Sequence, residues 1–248
     1  TYEVRSDILN PDNSVRTEEG EVLTAWFGTD ELGRDLLTRL MYAGRVSLKI
    51  AFAVTILSEI LGVIIGVISG YFGGFVDSVS MRTVDFLNTL PLLPILLVLT
   101  TILKPSVNVL ILILVFFGWT GGARLMRGQI LSLREQEFVD ASRALGAPAT
   151  RIMFRHLVPN ALAPTIVNAS LGLSSVMILE AALSFLGFGV QLPYASWGNM
   201  LRDAGNVTVL QNSPHRAFFP GLSIFICSLC FNFIGDGLRD ALDPRAKR

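Results

Sequence analysis

Few residues of this 248-residue chain carry side chains suited to chemistry. Cys227 and Cys230 form a C-x-x-C pair, a spacing that can cycle between dithiol and disulfide. The pair lies inside an apolar run, however, where free cysteine behaves as a small hydrophobe. His156 and His215 are the only histidines, so no Cys/His zinc site with recognisable spacing can be built. The lysines are Lys49, Lys104 and Lys247, and none completes a glycine-rich phosphate loop, so the chain has no P-loop for hydrolysing ATP. No Ser/His/Asp set or paired carboxylates suggest catalysis. Two acids remain, Glu59 and Glu180, each embedded in apolar sequence. An ionisable group in that setting marks either a solute path or a polar pair. A carboxylate there can meet an ammonium group in transit or bond a polar group of a neighbouring helix, and both readings stand.

The elements that must position these acids are long and apolar. Hydrophobic residues make up 51% of the chain and charged residues 16%, with a mean hydropathy of +0.55. Soluble domains usually carry about a quarter charged residues. A membrane-spanning helix needs about 20 mostly apolar residues. Five stretches qualify: 50–71, 86–103, 107–123, 161–179 running on towards 190, and 218–235. Pro91 and Pro94 are expected to bend the second. The fold class is therefore an all-α membrane protein with five spans. Gly62, Gly66 and Gly70 recur every fourth residue, a face on which another helix can approach closely. The formal net charge is zero, which gives no global field to hold nucleic acid.

Basic residues orient the spans. Arg124, Arg127, Arg134, Arg143, Arg151 and Arg155 crowd the loop between the third and fourth spans, and Arg239, Arg245, Lys247 and Arg248 the tail. The positive-inside rule puts both in the cytoplasm. Residues 1–46 then form an external segment, 47–240 the membrane domain and 241–248 a cytoplasmic tail. No signal peptide precedes the first span, so a further transmembrane helix ahead of Thr1 is expected to deliver the external segment.

The loop over 124–160 is long enough to have a role of its own. Phe138, Ala141 and Leu145 recur at helical spacing, predicting a helix over 132–145. Gly146 suits a left-handed stop and Pro148 the first turn of a second helix. That helix is expected to run through Phe154 and to end before Pro159, which disfavours helical geometry at Val158. A helix-turn-helix tethered between two spans with modest charge makes a poor DNA reader. It suits a docking knob for a cytosolic partner.

The spacing then becomes specific. Asp140-Ala141-Ser142, Gly146 and Pro159 resemble the EAA loop of ABC importer permeases, with Asp140 in place of glutamate and Ser142 in place of the second alanine. Phe27 to Asp35, the run Gly70-Tyr71-Phe72-Gly73-Gly74 with Asp77, Leu183 to Gly189, Ser196-Trp197-Gly198 and Gly235 to Arg245 resemble blocks of the oligopeptide/dipeptide permease C subunits. The resemblance implies the transmembrane domain of a type I ABC importer in a bacterial inner membrane, with six spans of which the first is missing here. It implies a second homologous permease as heterodimer partner, two ATP-binding subunits and an external solute-binding protein. This chain would bind no cofactor, ATP and Mg belonging to the partner subunits. Short peptides are the usual cargo, with nickel chelates or glutathione as alternatives. An ion-gradient secondary transporter and a membrane-embedded enzyme are the remaining rivals.

Carried onto this chain, the resemblance assigns ATPase coupling to Glu137, Asp140, Ala141, Ser142, Gly146, Ala147, Pro148, Arg151, Phe154 and Pro159. Arg151 and Arg155 would meet acids on the ATPase or form a solvated face. Asp30, Glu31, Arg34 and Asp35 would either touch the binding protein or make a self-contained cap of ion pairs. Glu59 and Glu180 keep both readings given above, translocation path or structural pair.

Overall fold

The computed structural model describes residues 14–16, 22–30, 32–103, 106–191 and 193–242. Glu31 lies outside the described residues, as do 243–248 of the expected tail. Ahead of the helices stands a short antiparallel hairpin of β1 (Ser14–Arg16) and β2 (Val22–Thr24), an addition to the all-helical expectation. The rest is helical: α1 (Leu36–Phe72), α2 (Gly74–Thr89), α3 (Leu92–Ile102), α4 (Val107–Leu133), α5 (Glu137–Ala144), α6 (Ala149–Arg151), a π-helical turn (Ile152–Leu157), α7 (Val158–Phe185), α8 (Trp197–Ala204), α9 (Val207–Asn212) and α10 (His215–Leu242).

Among the described residues four helices are long and apolar enough to cross a bilayer: α1, α4, the α6–α7 run and α10. The fifth expected span is not a single helix. α2 and α3 meet at 84°, and together they make at most one broken span. Pro91 caps α3 with extended geometry, so the chain turns there. Pro94 falls in the first turn of α3, where its missing N–H breaks no helical bond, and it does not bend the helix.

α1 and α4 form the spine. They run parallel, Ser58 lying against Gly118, Gly62 against Gly122, Gly66 against Met126 and Gly70 against Ile130. A Cβ on Gly66 would stand 2.6 Å from the Ala123 carbonyl oxygen, so the expected small-residue face does hold two backbones in contact. One core cluster joins α1, α3 and α4 through Ile50, Val54, Leu96, Leu110 and Leu114. Another joins α1, α7 and α8 through Ala43, Ala51, Met177, Trp197 and Met200. The outward faces stay apolar, as on Phe52, Ile56, Leu112, Phe225 and Phe233. That pattern suits helices solvated by lipid or by another membrane subunit.

Candidate functional site

The chemistry-bearing residues collect at the two ends of the bundle and at one point inside it. At the end where α1 begins, Asp30 is turned inward with a side chain only 2% exposed. Its carboxylate accepts from the backbone N–H groups of Leu32 and Arg34 at 2.9 and 3.0 Å. It also accepts from Arg34 Nε at 2.7 Å and Arg39 Nη1 at 2.8 Å. Burial opposes the charge, but the hydrogen bonds and charge of Arg34 outweigh it and hold the carboxyl below its usual range. Arg39 reaches on to Asp203 of α8 at 2.7 Å. Asp35 caps α1, accepting from Thr38 N at 2.8 Å. Phe27 stacks on Phe219 of α10 at 4.0 Å between ring centroids, and Gly28 leaves room for His215, to which the sequence assigned no role. This end is thus a cap of internal ion pairs and stacked rings.

Glu180 belongs to the same cap. It lies near the end of α7 rather than deep in it, and it is 0% exposed. Ser47 Oγ of α1 donates to it at 3.0 Å and Ser184 Oγ at 2.6 Å. Those hydroxyls in turn accept from the backbone N–H groups of Trp197 and Val190. Trp197 Nε1 donates to the Leu40 carbonyl, and Gly44 leaves the space its indole occupies. Gly198 lets α8 lie directly on α7, where a Cβ would stand 2.5 Å from the Ala181 carbonyl oxygen. Glu180 therefore bonds within the chain, tying α1, α7 and α8 together. Glu59, midway along α1, accepts from Asn168 of α7 at 2.7 Å. Asn168 thus bonds across two helices, whereas Asn232 makes no such bond among the described residues.

The opposite end carries the loop. α4 continues to Leu133, so the helix expected from 132 begins only at Glu137, after the break at 134–136. Of its residues Val139 alone is buried. The apolar stripe of Phe138, Ala141 and Leu145 faces outward, with Leu145 87% exposed. Gly146 has φ 75° and closes α5 as expected. Its N–H bonds the Arg143 carbonyl while Ala147 N–H bonds that of Ser142, the paired pattern of a Schellman stop. Pro148 caps α6.

Pro159 does not end the next helix. Val158 is helical at φ −56°, ψ −50°, and α7 runs straight on into the membrane. The π turn before it is the physical reason. Val158 N–H reaches back five residues to the Met153 carbonyl, which widens the backbone where the proline ring would meet a carbonyl. Asn160 Nδ2 then bonds the His156 carbonyl at 2.7 Å.

The loop's inner side is anchored. Val139, Ile152, Met153 and Leu157 pack with Val67 of α1 and Met126 and Ile130 of α4. Asp77 of α2 receives Arg127 Nε and Nη2 at 2.5 and 2.6 Å and Ser69 Oγ at 2.5 Å. Arg134 Nη1 donates to the Gly70 carbonyl, and the Arg143 guanidinium lies 5.7 Å from the centre of the Tyr71 ring. Glu137, Asp140, Arg151, Phe154 and Arg155 stay on the outer surface, and among the described residues Asp140 pairs only with Arg143. Ser142 donates to the Phe138 carbonyl.

A bundle of membrane helices with a bent, surface-exposed loop set between two spans has the fold of a type I ABC importer transmembrane domain. The same fold is found in the MetNI methionine ABC transporter solved in inward-facing form, with a TM-score of 0.62 at 19% identity, covering 84% of this chain and 96% of that one. Residues 62–248 match the family described as binding-protein-dependent transport system inner membrane component, and the chain belongs to that family. It is a permease component of a transport system in the inner membrane. The dipeptide transport system permease protein DppC of Bacillus subtilis is 41% identical over 245 residues, 97% of this chain and 76% of the relative. The oligopeptide transport system permease protein OppC of Escherichia coli is 44% identical over 220 residues, 89% of this chain and 72% of the relative.

Proposed function

We propose that this chain forms half of the translocation pathway of an ATP-driven peptide importer. A second homologous permease completes the pathway, two ATP-binding subunits supply the energy from the cytoplasm, and an external solute-binding protein delivers the cargo. ATP and Mg belong to the ATPases; this chain positions and moves. Peptides are the cargo because the relatives at 41–44% identity are named for dipeptides and oligopeptides.

The observation that carries the reading is the two-sided loop. Its inner face is anchored on α1 and α4 by Val139, Ile152 and Leu157, while its outer face offers Phe138, Leu145 and Phe154 to a partner. Large apolar side chains held rigidly in the open fit a protein groove. Arg151 and Arg155 have no ion-pair partner among the described residues and flank that surface. The loop and tail lie in the cytoplasm on this reading. At the other end the cap of Asp30, Arg34 and Asp35 meets the binding protein as a preformed platform, with Asp30 beneath its surface and Glu180 as the staple below it.

Leu145→Asp tests the docking. The side chain touches little of its own chain, so the fold survives. Copurification of the ATPase subunits in mild detergent is expected to fall at least tenfold. Unchanged ATPase recovery together with unchanged peptide uptake refutes the assignment.

A further inference from the structure

Inside the bundle is a cluster of unbonded polar atoms that the transport role does not explain. Thr55, Ser58 and Glu59 share one turn of α1. Thr55 and Ser58 are 5% and 6% exposed. Glu59 Oε1 accepts from Asn168, but Glu59 Oε2, Ser58 Oγ and Thr55 Oγ1 are enclosed and make no hydrogen bond. Glycines of the neighbouring helices lie against them. A Cβ on Gly118 of α4 would stand 2.6 Å from Ser58 Oγ, and one on Gly122 would stand 2.8 Å from Glu59 Oε2. A Cβ on Gly172 of α7 would stand 3.7 Å from the Thr55 methyl. A carboxylate oxygen and two hydroxyl oxygens of one turn of α1 are therefore buried without partners where α1 packs between α4 and α7.

Among the described residues the carboxylate has no cationic partner there. On α4, Arg124 is committed to Asp85, Arg127 to Asp77, and Arg134 to Glu135 and the Gly70 carbonyl. On α7, Glu180 bonds Ser47 and Ser184. Arg82 of α2 is exposed, and Lys49 of α1 stands almost three turns nearer the cap. One amide N–H leaves a full negative charge in surroundings where an isolated ion is strongly disfavoured. A water molecule would satisfy the open hydrogen bonds but would not neutralise that charge. Carboxylate and hydroxyl oxygens are the hard donors that small cations prefer.

The geometry points to a bound monovalent cation at this junction, a proton or Na+, held on Glu59 Oε2 with Ser58 and Thr55 as the neighbouring oxygen donors. The inference is independent of what the protein transports. It is tested on the full chain with the subunits that copurify with it, reconstituted in lipid nanodiscs. Infrared difference spectra between wild type and Glu59→Gln are recorded in Na+-free buffer, and equilibrium binding of radioactive Na+ is measured in parallel. A protonated-carboxyl C=O band lost in the variant identifies the proton. Stoichiometric Na+ binding lost in the variant identifies Na+. Ser58→Ala keeps the carboxylate, and it is expected to shift the band or weaken Na+ binding several-fold. Absence of both signals in wild type, or signals unmoved by both substitutions, overturns the site.

Discussion

Two substitutions of the same chemistry at two glycines should move stability in opposite directions. Gly66→Ala and Gly128→Ala each replace a helical glycine with alanine, which by itself favours the helix by roughly 1 kcal/mol. At Gly128 of α4 nothing stands within 4 Å of the added methyl, so the gain is retained. At Gly66 the methyl would meet the Ala123 carbonyl oxygen at 2.6 Å, Met126 Cβ at 2.8 Å and the Arg127 nitrogen at 3.0 Å. Two of these atoms are backbone, so no side chain can rotate away. Restoring ordinary contact near 3.5 Å requires the helices to part by roughly 1 Å. Gly62 and Gly70 bind the same helix above and below, so the separation loosens three contacts together. Overpacking of this kind costs about 1–3 kcal/mol. Because the propensity gain is common to both variants, their difference isolates the close approach. Thermal unfolding of the purified protein, at roughly 2–4 °C per kcal/mol, should place Gly66→Ala below Gly128→Ala by about 5 °C. Equal midpoints would show that the α1–α4 contact is slack, and the rigid spine would have to be abandoned.

Glu180→Ala removes the acceptor for two buried hydroxyls, at about 1–3 kcal/mol for the unsatisfied groups. Amide exchange should rise in 190–204 and stay unchanged in 137–157; a rise at both ends would contradict the local staple. Acidification should act on the same cap through Asp30. Its folded value lies below the unfolded one, so its stabilisation is present above about pH 4 and is lost as pH falls through the folded value. Exchange in 28–40 should therefore be flat from pH 7 to about 5 after correction for intrinsic rates, then rise, and Asp30→Asn should abolish the step. Asp77→Asn breaks a bidentate pair with Arg127 and should loosen the α1–α2 turn, read as faster proteolysis near Gly73-Gly74.

What was legible in the sequence was local. The spacing of Gly62, Gly66 and Gly70 announced a close helix contact, and Gly146 announced its left-handed stop, because each depends on residues within a few positions. The boundaries of the loop helices were not legible. α4 outruns its apolar segment because Met126 and Ile130 are needed below the membrane, where they pack on Val139 and Ile152. The rule that a proline excludes helix before it failed at Val158 because a π turn relieves the clash, and nothing in the local sequence marks a π turn. The direction of the Phe138–Leu145 stripe was also hidden. Periodicity locates a stripe without saying which side is covered, and here the body is held by Val139 alone. Glu180 drew attention as an acid in apolar sequence, but its partner Ser47 lies 133 residues away.

The anchoring of the loop constrains how any push on it can travel. A loop hung on flexible links would absorb a displacement locally. Here Val139 and the π turn share a core with Val67, Met126 and Ile130, and α1 and α4 touch backbone to backbone just beyond. Arg134 on the Gly70 carbonyl and Arg127 on Asp77 close the same end with charged hydrogen bonds. A displacement applied to Leu145 or Phe154 therefore moves the ends of α1, α2 and α4 as one body. The π turn belongs to that same body, its Ile152, Met153 and Leu157 packed with Val67, Met126 and Ile130, and it joins the body directly to α7. At the far end the Glu180 staple holds α1, α7 and α8 together. On the docking proposed above, a push at the loop would therefore reach α7 through this turn while the Glu180 staple holds the far end of α7 to α1. Shortening the π turn by deleting one residue within 152–157 should clash Pro159 with its preceding carbonyl and jam that movement. If the deletion variant still folds and moves solute at the wild-type rate, the turn does not carry the push to α7.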